Sequence, residues 1–147
     1  MQYKIIHRII GTNSLLYKMG KIPYMTCDFC NMYIETIEHL FFDCINVKNF
    51  WLHLFDDVNV YMNSDIQITG SHILLMYKSH EQSVEEIVNK ICLYGKRYIF
   101  ICKLRKVNPS KFDFYRFMLE EMTHIKEMKN VEQRNFYNSI LTMKEFY

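Results

Sequence analysis

The stretch C-D-F-C-N-M-Y-I-E-T-I-E-H-L-F-F-D-C, residues 27–44, decides how the rest of the chain is read. Cys27, Cys30, His39 and Cys44 give the pattern C-x2-C-x8-H-x4-C. Four soft or borderline ligands in so short a span can close a tetrahedral shell around one zinc ion. A shell made wholly of protein groups leaves no open position for water, so the predicted Zn2+ is structural and not catalytic. The two residues between Cys27 and Cys30 form a knuckle that turns the backbone around the ion and aims amides at sulfur.

The ligand spacing contains a conflict. Thr36 is placed to cap a helix, with Glu38 in its first turn. Ile37, Leu40, Phe41, Cys44, Trp51, Leu52 and Phe55 then predict one amphipathic helix to about residue 56. On an ideal helix, however, residues five apart point roughly 140° away from each other. His39 and Cys44 can share an ion only if the helix is distorted between them.

Upstream, Ile5, Ile6, Ile9 and Ile10 predict a helix over 2–10 that ends at Gly11. Thr12 or Asn13 can cap the next, which Gly20 and Pro23 break. Downstream, residues 57–83 are weakly patterned and read as an irregular connection, with Asp56 and Asp57 as the polar end of the preceding helix. Val84, Ile87, Val88, Ile91, Gly95, Tyr98, Ile99 and Cys102 predict a long helix over 84–106, stopped by Pro109. A helix from 111 to about 128 carries Phe114, Phe117, Met118, Met122, Ile125 and Met128. A last one, roughly 131–146, carries Phe136, Ile140 and Met143. The expected fold is mainly α, with a small zinc-knuckle segment before a long helix and a helical tail behind it. The expected division is a zinc-binding region over 1–56 and a helical tail over 57–147.

Composition agrees. In 147 residues, 50% hydrophobic side chains supply a core, while 4 Gly and 2 Pro disfavour a many-turned β fold. No apolar run is long enough to span a membrane, and no secretory signal is read, so the expected location is intracellular, cytoplasmic or nuclear. In a reducing compartment the five cysteines divide into three metal ligands and two buried thiols, Cys92 and Cys102. The remaining histidines, His7, His53, His72, His80 and His124, have no ligand spacing among themselves.

The net charge of +2 is uneven: residues 1–86 carry −4, residues 87–112 carry +7 with no acid, and residues 113–147 carry −1. Lys96, Arg97, Lys103, Arg105, Lys106 and Lys111, interleaved with Tyr94, Tyr98 and Phe100, are candidate contacts to nucleic acid. Cations of this kind meet phosphates, and rings of this kind stack on bases. The alternative is that the rings face the core and the cations only solvate a helix. No Gly-rich phosphate loop and no Ser/His/Asp set is present.

His7-Arg8, Thr12-Asn13-x-Leu15-Leu16, Cys27-x-x-Cys30, Glu35-Thr36-Ile37-Glu38-His39-Leu40-Phe41-x-x-Cys44 and Phe50-Trp51 together resemble a known region. It is the zinc-binding region at the C-terminal end of reverse transcriptases of non-LTR (LINE-type) retrotransposons. The likeness covers residues 1 to about 55. It implies that Cys27, Cys30, His39 and Cys44 are the ligands. It also implies handling of template RNA or target DNA beside the reverse transcriptase and endonuclease regions of a longer polypeptide. Those two regions are absent from this sequence, so enzymatic activity does not carry over, and the chain reads as a fragment or a decayed copy. The other function expected from the residues is a zinc-stabilised protein-interaction module, or a non-functional remnant, without nucleic-acid affinity.

Overall fold

A computed structural model describes residues 1–122 and 131–144. It is mainly helical, and among the described residues the only β pairing is a single antiparallel bridge between Thr26 and Ile34. The helices are α1 (Gln2–Ile6), α2 (Asn13–Lys18), α3 (Ile45–Met62), α4 (Gly70–Leu74), α5 (Gln82–Arg105), α6 (Lys111–Met122) and α7 (Val131–Lys144). A π-helical turn, His39–Asp43, leads into α3.

The two short N-terminal helices differ from expectation in one place. The helix over 2–10 ends already at Ile6, because Arg8 takes a left-handed φ of 54°. That turn leaves Ile6 and Ile9 exposed while Ile5 and Ile10 enter the core. Thr12 is the cap of α2, its side chain accepting from the Leu15 amide. Gly20, at φ 67°, ends that segment, as its freedom from a Cβ allows.

The first long helix also departs from expectation at both ends. It does not run unbroken from Thr36: the π turn and an extended Cys44 intervene, and α3 begins at Ile45. It then continues past residue 56 to Met62, where Asn63 closes it in a left-handed conformation. Asp57 is therefore not a polar helix end. It is buried in mid-helix, accepting from the Tyr115 hydroxyl (2.9 Å) and from Lys111 Nζ (3.2 Å). The inward face of α3 is Val47, Phe50, Trp51, Leu54, Phe55 and Val58, while Leu52 points outward. Within 57–83 the chain still forms α4, closed at its start by a reciprocal Thr69–His72 capping box.

Helix α5 follows its predicted stripe, with Val88, Ile91, Gly95, Tyr98, Ile99 and Cys102 buried. Gly95 is where α5 crosses Trp51: a Cβ there would lie 2.2 Å from the indole. Trp51 is almost fully buried and donates from its Nε1 to the Phe41 carbonyl (2.8 Å), which ties α3 back to the π turn. Phe50 packs at 5.6 Å from both Tyr98 and Phe114, joining α3, α5 and α6. In α6 and α7, Phe114, Met118, Met122, Phe136, Ile140 and Met143 are buried. Ile125, Met128 and His124 lie outside the described residues. One continuous cluster of buried side chains runs from Ile5 to Met143. No described helix is long and apolar enough to cross a membrane.

Candidate metal centre

Backbone hydrogen bonds shape the knuckle. Thr26 pairs with Ile34, the Cys27 amide donates to the Tyr33 carbonyl (2.8 Å), and the Asn31 amide donates to the Cys27 carbonyl (2.8 Å). Asn31 takes a φ of 55°, a left-handed conformation that asparagine tolerates better than most residues. Past the loop, Thr36 caps the next turn, its hydroxyl oxygen accepting from the His39 amide (3.1 Å).

The π turn resolves the spacing conflict. The Cys44 amide donates to the His39 carbonyl at 3.0 Å, an i→i+5 bond. A π turn holds more residues than an α turn, so positions five apart come round towards the same side. The four ligand atoms of Cys27, Cys30, His39 and Cys44 accordingly lie within 4.8 Å of one another. Cys27 Sγ and Cys44 Sγ are 3.9 Å apart, and Cys30 Sγ is 3.4 Å from His39 Nε2. A regular tetrahedron with Zn–S of about 2.3 Å and Zn–N of about 2.0 Å has edges of about 3.8 Å between sulfurs and 3.5 Å from sulfur to nitrogen. The two separations match those edges, so this Cys3His set is able to hold a metal ion and is consistent with zinc.

Amide donors support the sulfurs. Those of Phe29 and Cys30 point at Cys27, and those of Asn46 and Val47, in the first turn of α3, point at Cys44. Cys44 thus occupies the N-cap of an 18-residue helix, where a thiolate is favoured. Its thiol is held below the ordinary value by the hydrogen bond from Cys27 and then by those amides. Cys27 is pushed up by the same bond and by burial. The Asn46 side chain also donates to the Phe29 carbonyl (2.8 Å), fastening α3 to the knuckle.

No family model, curated protein or solved structure matches the chain.

The six cations of the basic block separate in space. Lys103 is 6% exposed and reaches under the knuckle, to Glu35 Oε1 (2.6 Å), Asn13 Oδ1 (2.6 Å) and Asp28 Oδ2 (3.3 Å). Lys96 is 3% exposed and bonds to Gln2 Oε1. Arg97 pairs with Glu121 (2.7 Å), and Lys111 with Asp57. Arg105 and Lys106 are exposed at the end of α5 and form no ion pair among the described residues. Of the interleaved rings, Tyr98 is buried and Tyr94 and Phe100 are half-buried against the core. His7, His53 and His80 are exposed, as isolated histidines should be, and His72 serves the α4 cap.

Sequence reasoning missed the polar group that joins the knuckle to α5. Glu35 is fully buried; its Oε1 also accepts from the Asn13 amide (2.8 Å), while Oε2 has no partner among the described residues. Burial pushes the Asp28 carboxyl up, but the Asn13 amide, Lys103 and Lys106 outweigh it and hold it below the usual carboxylate range. Glu35 and a lysine 68 positions later carry no local signal in the sequence that they meet.

Proposed function

We propose that this chain is a zinc-stabilised helical module whose metal is structural, and that it acts by presenting a surface to a macromolecular partner. The observation that carries this reading is the convergence of Cys27, Cys30, His39 and Cys44. Three thiolates and an imidazole suit Zn2+, whereas Mg2+ and Ca2+ take oxygen ligands. Four protein ligands complete a tetrahedron, so zinc held there shapes the knuckle and performs no hydrolysis. A protein partner is favoured by the outer side of the knuckle, where Met32, Tyr33 and Ile34 are 63%, 64% and 52% exposed. It is favoured also by the engagement of four of the six block cations with acids or buried groups.

The second reading is nucleic-acid handling, as the likeness to the reverse-transcriptase zinc region implies. Its support is Arg105 and Lys106, the two exposed cations of the block that form no ion pair among the described residues, with Lys106 close enough to Asp28 to act on its carboxyl. One pair of experiments tests both. Cys27→Ser is expected to lose its bound zinc and to loosen residues 24–44 while the later helices are less affected; an unchanged zinc stoichiometry would overturn the metal assignment. Binding to single-stranded RNA and duplex DNA is then measured at two salt concentrations. Salt-sensitive binding that Arg105→Glu with Lys106→Glu abolishes would put the nucleic-acid reading first. Its absence leaves the protein-partner reading standing.

A further inference from the structure

A cavity of about 330 Å³ lies against α1, α4 and α5, bordered by Gln2, Leu75, Met76, Leu93 and Lys96. That is at the small end of the range for ligand sites. Leu75, Met76 and Leu93 are 61%, 56% and 44% exposed, so the cavity opens to solvent through an apolar mouth. Cys92 adds a buried, neutral thiol to the wall, and Asn89, His72 Nδ1 and Lys90 are already engaged. The Asn89 amide is used on both sides by the Tyr77 backbone (2.8 and 2.9 Å), and His72 Nδ1 accepts from the Thr69 amide. Lys90 lies over the Phe136 ring at 5.4 Å.

Lys96 differs from them. It is buried, and among the described residues its ammonium bonds only to Gln2 Oε1. Gln2 is itself held in place, its amide nitrogen donating to the carbonyls of Leu74 (2.7 Å) and Leu75 (3.3 Å). An ammonium has three donors, and a neutral amide oxygen satisfies one of them without supplying a countercharge. No carboxylate pairs with Lys96 among the described residues, although an uncompensated buried cation is costly. A preorganised cation on the wall of an apolar cavity lacks one thing, an anion with an apolar body.

We propose that this cavity binds a small monocarboxylic acid with an aliphatic tail, its carboxylate on Lys96 Nζ and its tail against Leu75, Met76 and Leu93. Inorganic phosphate is the weaker fit, because it brings no apolar body to cover Leu75, Met76 and Leu93. The inference is independent of what fills the cysteine–histidine centre.

The test titrates the full, metal-bound chain with octanoate, octanol and inorganic phosphate while following the Gln2 side-chain amide resonances. Octanoate is expected to shift them saturably, octanol to bind about tenfold more weakly or less, and phosphate to leave them unmoved. Lys96→Met is expected to weaken octanoate about tenfold or more with its helical dichroism intact. Leu75→Glu, a change at the exposed mouth, is expected to weaken it by like-charge repulsion and keeps the test decisive if Lys96→Met does not fold. The proposal is overturned by the absence of a saturable shift, by equal affinity for octanoate and octanol, or by unaltered octanoate affinity in Leu75→Glu.

Discussion

Two lysines of the basic block have left the surface. Lys103 balances Glu35 and Asp28 beneath the knuckle, so removing it strands a buried carboxylate. Lys103→Met is expected to cost about 3–5 kcal/mol in urea unfolding, and adding Glu35→Gln should recover part of that loss. Strictly additive losses would show that the two side chains do not act as a pair. Lys96 is affected differently: burial pulls its ammonium down to about 8. Between about pH 8 and the ordinary lysine value of about 10.4, the unfolded chain holds a proton that the folded chain has released. Stability from this group therefore rises with pH across that window. Unfolding measured from pH 7 to 10 should show a more positive slope in the native chain than in Lys96→Met; identical slopes would contradict the assignment. Cys92, raised by burial to about 12, acts in the opposite sense above pH 9 and is itself lowered by the Lys96 charge, so the slope between pH 7 and 9 reports Lys96 most directly.

Among the elements, α3 and α5 meet where Trp51 lies over Gly95. Alanine favours a helix over glycine by about 1 kcal/mol, but a Cβ at this crossing has no room beside a buried indole. Gly95→Ala is expected to lower stability by about 1–3 kcal/mol, and the melting temperature with it. A stabilised variant would mean that the two helices can move apart freely. The π turn is the other element with a defined task. It delivers Cys44 to the side of His39 and then releases the chain into α3 with Trp51 and Phe55 facing inward. A distortion between His39 and Cys44 was legible from the five-residue spacing. Its form was not, because spacing specifies that an α turn fails without saying which alternative the surrounding packing selects.

For the whole molecule, the cysteine–histidine cluster lies in a segment that has few core residues of its own. Between residues 20 and 36, only Cys27, Phe29 and Glu35 are fully buried. Chelation is expected to raise amide exchange across residues 24–44 first, while α5 and α6 keep their protection. Uniform loss of protection would show instead that the centre supports the whole core. The sequence by itself determined the mainly helical fold, the buried stripes of α5 and α6, and the four candidate ligands that the fold brings together. These are local properties, set by periodicity, capping residues and a ligand pattern confined to 18 positions. It could not determine the fate of the cations. Seven basic residues without an acid between 87 and 112 look like one charged surface, because the partners of Lys96, Arg97, Lys103 and Lys111 lie elsewhere in the chain. Only the tertiary structure brings Gln2 to Lys96, Glu35 to Lys103 and Asp57 to Lys111. Whether a charge meets water or a partner depends on packing between distant segments, and no run of neighbouring residues encodes that.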